Sequence, residues 1–232
     1  MMPVGTSNDS ARETWIINTL NKIPEGLRIL DAGAGELRYK KHCSHLQYVA
    51  QDFGQYDGSG DVGLQTGSWD QTKLDIECDI TAIPEPDNSF DAIMCIEVFE
   101  HIPDPLAALK EFKRLLKPGG YLIITAPFAS ITHFAPYFFY TGFSKYFYET
   151  HLEKNGFDVE DMVFNGNYFE FMAQELRRIN VVAKKYTGAP QGLLGKIGVQ
   201  LLLWSMKKLS TKGQSSSELL YQDTHVYARK RL

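Results

Sequence analysis

The sequence predicts an α/β protein built on a doubly wound, Rossmann-like sheet. Three observations carry that reading. The apolar run Arg28-Ile29-Leu30-Asp31-Ala32 breaks into the small-residue turn Gly33-Ala34-Gly35; strand-like and helix-like stretches then alternate as far as residue 126; and the strand-like runs end in acids, Asp31, Asp52, Asp79 and Glu97. Alternation of this kind argues for parallel strands joined by right-handed crossovers.

With 232 residues the chain can bury a sizeable core, and a single domain over 1–232 is expected. A net charge of −4, from 24 basic and 28 acidic residues, speaks against a nucleic-acid partner, whose phosphates call for a basic surface. Cys43, Cys78 and Cys95 form no Cys-x-x-Cys pair and read as reduced core residues. The polar stretch from Met1 to Ala11 shows no signal-peptide pattern, so a cytoplasmic protein is expected. The apolar run Ile197 to Met206 is about half of a bilayer span, so no transmembrane helix is expected either.

Residues 1–26 form an N-terminal helical segment, in which Trp15, Ile16, Leu20 and Ile23 recur at helical intervals before Pro24-Glu25-Gly26. The strand over 28–32 is bounded by Gly26 and Gly33. Its turn lets backbone approach a ligand without a side chain intervening, and a helix is expected from Glu36 to Cys43. Strand, glycine turn and helix N-terminus make a nucleotide-type cofactor site. The spacing rejects two rivals: a dinucleotide fingerprint wants a third glycine where Arg38 stands, and no Gly-Lys-Ser/Thr follows for a P-loop.

The second strand, Gln47 to Asp52, ends twenty-one residues after Asp31, where an acid can accept hydrogen bonds from ribose hydroxyls. Asp52 could equally be a turn residue or helix cap, and Phe53 could lie on a purine or join the core. Gly54 to Lys73 reads as an exposed polar loop, and Leu74 to Ile80 as a third strand. Phe90 to Ile96 is the fourth strand, terminating in Glu97. Asp104-Pro105 caps a helix with the stripe Leu106, Leu109, Phe112, Leu115, Leu116, and Tyr121 to Ala126 is the fifth strand.

Beyond Pro127 come nine aromatics between Phe134 and Tyr148, which suit either a core or the wall of an apolar substrate pocket. A helix over 149–155 stops at Gly156, and Phe157 to Phe164 is a sixth strand. Residues 167–217 form a helical insertion, with helices at 169–186 and 193–209, before a last strand at His225 to Arg229. The second helix is more apolar than one small contact would hide. A cap over the aromatic segment is the favoured reading, against a homodimer contact or a peripheral membrane contact through 193–209.

The run of motifs Asp31-Ala32-Gly33-Ala34-Gly35, Asp52, Asp79-Ile80, Asp87-Asn88-Ser89-Phe90-Asp91, Glu97-Val98-Phe99-Glu100-His101-Ile102 and Leu116-Lys117-Pro118-Gly119-Gly120 resembles the class I S-adenosylmethionine-dependent methyltransferases of the type 11 group, over residues 27 to 128. The resemblance implies a seven-stranded sheet with the last strand antiparallel. It also implies a cofactor, S-adenosyl-L-methionine, with S-adenosyl-L-homocysteine as product. By the same resemblance Asp31, Gly33 and Gly35 would hold the methionine end, Asp52 the ribose, Asp79 the adenine amino group with Ile80 nearby, and Glu97 would line the cavity. Leu37 stands where many members carry a third glycine.

A sulfonium donor is already activated, so an aligned nucleophile and a dry pocket matter most. A hydroxyl acceptor needs a base, and His101 is the candidate, although it could instead cap the following helix or hold the loop; His133 and His151 stand behind it. No metal is expected, because Thr125-Ala126-Pro127-Phe128 offers no acid. The expected reaction is methyl transfer to an oxygen, before carbon or nitrogen, of a small molecule, with glycan, lipid-linked and quinone-like acceptors open. The alternative is a non-catalytic cofactor-binding module that acts by protein association.

Overall fold

The computed structural model describes residues 3–232. Its helices are α1 (Asn8–Leu20), α2 (Pro105–Leu115), α3 (Lys145–Lys154), α4 (Tyr168–Thr187) and α5 (Leu193–Lys212). The strands are β1 (Arg28–Ala32), β2 (Gln47–Asp52), β3 (Ile76–Glu77), β4 (Phe90–Ile96), β5 (Leu116–Pro127), β6 (Phe157–Asn165) and β7 (Asp223–Lys230). They form one seven-stranded sheet in the order β3-β2-β1-β4-β5-β7-β6. β1 lies parallel to both β2 and β4, and β4 parallel to β5. β7 runs the other way: the Gln222 N–H bonds the Asn165 carbonyl at the end of β6, and the Arg231 N–H bonds Gly156 just before its start.

Alternation along the central strands sends neighbouring residues to opposite faces. Leu30, Ile93, Cys95, Leu122 and Ile124 pack with Leu109, Phe112 and Leu115 of α2. Ile29, Met94 and Ile123 pack with Ile16 and Leu20 of α1. α2 begins as its sequence dictates, with the Asp104 carboxylate accepting the Ala107 N–H at 2.9 Å and Pro105 in the first turn.

The expected helix at 36–43 does not form. Gly33, Gly35 and Leu37 all have positive φ (81°, 51° and 61°), so the chain is still turning at 37, and only a single 3-10 turn, Lys40–His42, fits before β2. The expected third strand contracts to Ile76–Glu77, whereas the fifth starts early and carries Lys117-Pro118-Gly119-Gly120 within it. A register shift between Phe90 and Ala92 absorbs that extension. The third helix starts at Lys145 rather than 149.

By its internal contacts the chain divides into two compact units. One takes in the described residues up to Glu13 with Phe164–Asp223; the other is Thr14–Val163 with Thr224–Leu232. In the first, α4 and α5 pack around Val4, Ala173 and Leu203, with Leu176, Val199 and Met206 against them. Asn167 caps α4, accepting the Phe169 and Glu170 N–H groups. The second unit holds most of the sheet and the candidate site.

Candidate active site

A cavity of about 640 Å³ opens at the carboxyl ends of β1, β2 and β4, lined within the second unit by Gly33, Gly35, Asp52, Phe53, Asp79, Ile80, Glu97 and His101 among others. Its size suits a small organic ligand. The turn after β1 is tied to β2 twice over: Gly33 and Ala34 N–H groups bond the Gln51 carbonyl at 2.9 and 2.8 Å, and the Gly35 N–H bonds Asp52 Oδ2 at 3.0 Å. Glycine is required at both turn positions. A Cβ on Gly33 would stand 2.4 Å from Val98 Cγ2, and one on Gly35 2.6 Å from the Trp69 ring.

Asp52 is 6% exposed, and its other oxygen, Oδ1, accepts from the Gly54 N–H at 3.2 Å and Gln71 Nε2 at 2.8 Å. Burial pushes this carboxyl above its usual range while those hydrogen bonds pull it back. Asp31 does not line the cavity. It is buried two positions before Gly33, on the side of β1 facing Tyr48, whose hydroxyl donates to Oδ2. Desolvation, with a smaller push from Asp52, raises Asp31 to about 7 against the pull of that hydrogen bond.

At the end of β4 Glu97 takes a positive φ of 56°, a strained conformation for a residue with a Cβ. It is held there by two bonds to β5: its N–H to the Thr125 carbonyl at 2.8 Å, and the Thr125 hydroxyl to Oε1 at 2.9 Å. Asp79 is exposed, its Oδ1 occupied by the N–H and hydroxyl of Thr81, and Ile80 beside it is buried.

His101 follows in the same turn and stacks on Phe134, with centroids 5.0 Å apart. Its Nδ1–H donates to the Tyr137 carbonyl at 2.6 Å, which leaves Nε2 as the acceptor of the neutral ring. Burial, aided by nearby His133, lowers its pKa to about 3. Glu100 Oε1 lies 3.7 Å from His101 Nε2 and 3.9 Å from His133 Nε2. These three side chains bring one ligand atom each within 4.8 Å of one another, and among the described residues this set can hold a cation. The sequence did not signal it, because His133 arrives from a loop thirty-two residues on from His101. His151, the other histidine considered, packs on Phe147 and lies outside the cavity lining.

The polar loop after β2 supplies a wall that its composition hid. Tyr56, Trp69 and Gln71 line the cavity, and Tyr56 and Trp69 pack on Phe134 at 4.6 and 5.2 Å. The one available signal was two large aromatics in an otherwise polar stretch. The aromatic segment beyond Pro127 divides: Phe134, Tyr137 and Phe139 line the cavity, whereas Phe143, Phe147 and Tyr148 pack into or against the core.

A cavity at the carboxyl ends of the central strands, on a sheet whose penultimate position is taken by an antiparallel last strand, matches the class I methyltransferase fold. Residues 30–124 match the family model described as a methyltransferase domain, and over that stretch the chain is similar to the S-adenosylmethionine-dependent methyltransferases of the type 11 group. A "Ubiquinone biosynthesis O-methyltransferase" of Xanthomonas axonopodis pv. citri (strain 306) is 33% identical over 106 residues, 44% of this chain and 44% of that protein. The aligned region thus spans less than half the length of the curated relatives it matches. Among solved structures, an S-adenosylmethionine dependent methyltransferase from Mesorhizobium loti superposes with TM-score 0.54 at 15% identity, covering 96% of this chain and 99% of that one. The [4+2]-cyclase SpnF gives 0.58 at 18% identity, covering 95% and 80%. One fold therefore carries more than one named chemistry, and the reaction has to be argued from the site.

Proposed function

We propose that the protein transfers a methyl group from S-adenosylmethionine to an oxygen of a small molecule, with glycan, lipid-linked and quinone-like acceptors as the classes to test. The observation that carries this reading is the Asp52–Gly35 hydrogen bond. It sets a buried carboxylate and a glycine backbone without a side chain next to each other on the cavity wall, where a nucleoside needs a hydroxyl acceptor and close backbone approach. When bound, the cofactor supplies a methyl group on a positively charged sulfur, activated for in-line displacement.

The chain's residues supply binding, alignment and dryness. Asp52 would hold the ribose, Gly33 and Gly35 the methionine end, and Ile80 with Phe53 the flanks of the adenine. Asp31 would reach the ligand through the field of its carboxylate behind the turn, and Glu97 faces the cavity at the end of β4. Asp79 would meet the adenine amino group through whatever capacity Thr81 leaves it.

His101 is the proposed base. With Nδ1 committed to Tyr137, its Nε2 is the nitrogen available to an acceptor hydroxyl, and a pKa near 3 keeps it in that form at any working pH. The same weak basicity reduces the driving force for proton removal, so alignment carries more of the rate than base strength does. The quinone-like class draws support from the name of the Xanthomonas relative, and the aromatic wall of Phe134, Tyr137 and Phe139 suits a flat or apolar acceptor.

Calorimetry with S-adenosylmethionine, followed by an assay of S-adenosylhomocysteine release against hydroxylated acceptors of the three classes, tests the proposal. Binding plus acceptor-dependent release is expected. Binding without release against any class favours the non-catalytic module, and no binding removes both readings.

A further inference from the structure

α5 carries apolar residues on two opposite faces. At 100° per residue Val199, Leu203 and Met206 point one way, and these pack toward Val4 and Ala173. Leu194, Ile197, Leu201 and Trp204 fall about half a turn away, and they are 84, 48, 65 and 53% exposed. On α4, Val181 and Tyr186 are also exposed, at 57 and 63%. A soluble surface does not ordinarily leave so many large apolar side chains in water together.

The charge of the same hairpin identifies what would cover it. From Tyr168 to Lys212 the hairpin contains Arg177, Arg178, Lys184, Lys185, Lys196, Lys207, Lys208 and Lys212 against Glu170 and Glu175, so it carries +6 in a chain whose net charge is −4. Lys208 lies over the Trp204 ring at 3.5 Å and Lys185 over Tyr186 at 5.7 Å, pairing cation and aromatic as at a membrane interface. An isologous contact with a second copy would set +6 against +6, which disfavours a homodimer through this surface. α5 does not qualify as a span, since no described helix is long and apolar enough to cross a membrane.

We propose that the α4–α5 hairpin docks on the surface of a bilayer containing anionic phospholipid. Leu194, Ile197, Leu201 and Trp204 enter the headgroup boundary, and the flanking lysines meet lipid phosphates. Apolar burial and the field of the charged leaflet act together in such a contact, so both are required for stable attachment. The inference does not depend on which acceptor the site takes.

The test is flotation of the full chain with vesicles of phosphatidylcholine alone and of phosphatidylcholine with about one-quarter phosphatidylglycerol, a composition giving a strongly negative surface. Wild type should float with the mixed vesicles, and attachment should weaken as salt rises from about 0.1 to 1 M, where screening shortens to about 3 Å. Lys207→Gln with Lys208→Gln should lower partitioning roughly 30-fold, at about tenfold per 1.4 kcal/mol and about 1 kcal/mol per basic residue. Leu201→Glu should abolish it while circular dichroism and melting temperature stay as in wild type, because Leu201 is outside the packed face. Equal binding to both vesicle types, or none to either, overturns the proposal. So does a dimer in sedimentation that Leu201→Glu splits, since the surface would then belong to a second copy.

Discussion

Asp52 at the end of β2 accepts the backbone N–H of Gly35 at 3.0 Å, so the residue proposed to hold the ribose also fixes the turn proposed to hold the methionine end. One carboxylate thus sets the distance between two subsites. Asp52→Asn keeps the shape and removes the charge. Hydrogen bonds to charged groups contribute about 1.5–3 kcal/mol, so affinity for S-adenosylmethionine should fall roughly 10- to 150-fold in calorimetry. Unchanged affinity would remove Asp52 from the site.

Asp31 makes stability fall as pH rises. Its native pKa of about 7 lies above the ordinary 3.8, so the contribution is fully present below about pH 4 and is lost as pH climbs through 7. The full loss is about 4 kcal/mol at most, at 1.36 kcal/mol per unit. Asp31→Asn should flatten thermal or denaturant stability between pH 4 and 8, gaining most over wild type at the alkaline end. A cationic ligand group favours the ionised carboxylate, so wild-type cofactor affinity should also improve with pH through 7.

His101 has the opposite sign. Its native pKa of about 3 is below the ordinary 6.5, so the unfolded chain takes up the proton first and native stability falls as pH drops from about 6.5 toward 3. His101→Gln should remove that acid-side slope. In the pH profile of turnover no ionisation of His101 should appear between 5 and 8. A limb near 6.5 that disappears in His101→Gln would contradict its buried, neutral state.

Gly33→Ala combines two costs, a φ of 81° and a Cβ 2.4 Å from Val98 Cγ2. Unfavourable φ alone costs of order 1–3 kcal/mol. The variant should melt lower and bind cofactor at least tenfold more weakly. Adding Val98→Ala should restore part of the stability by relieving the clash, while the backbone strain persists. Full recovery in the double variant would mean that only the clash mattered.

The sheet was legible because its signals are local: apolar runs of strand length, glycine turns and the Asp104-Pro105 helix start each depend on neighbours in sequence. Of the residues expected at the cofactor site, Gly33, Gly35, Asp52, Phe53, Asp79, Ile80 and Glu97 line one cavity together with His101, the expected base, and Asp31 stands behind it. The helix expected at 36–43 failed where three positive-φ residues in five prolong the turn, which also removes a helix N-terminus from beside the cavity. The wall made by Tyr56 and Trp69 was opaque, because its contacts with Phe134 join residues far apart in the chain with no periodicity to announce them. The cation-capable set of Glu100, His101 and His133 was hidden for the same reason.

The positions of the three tryptophans give the protein its own optical instrumentation. Trp69 sits against Gly35 and Phe134, so its emission should change when the cleft fills. Trp204 is half in water and should shift to the blue on entering lipid. Trp15, packed on His225, should hold steady as a reference, so that single-indole versions of the chain can follow cleft and hairpin separately without any attached dye.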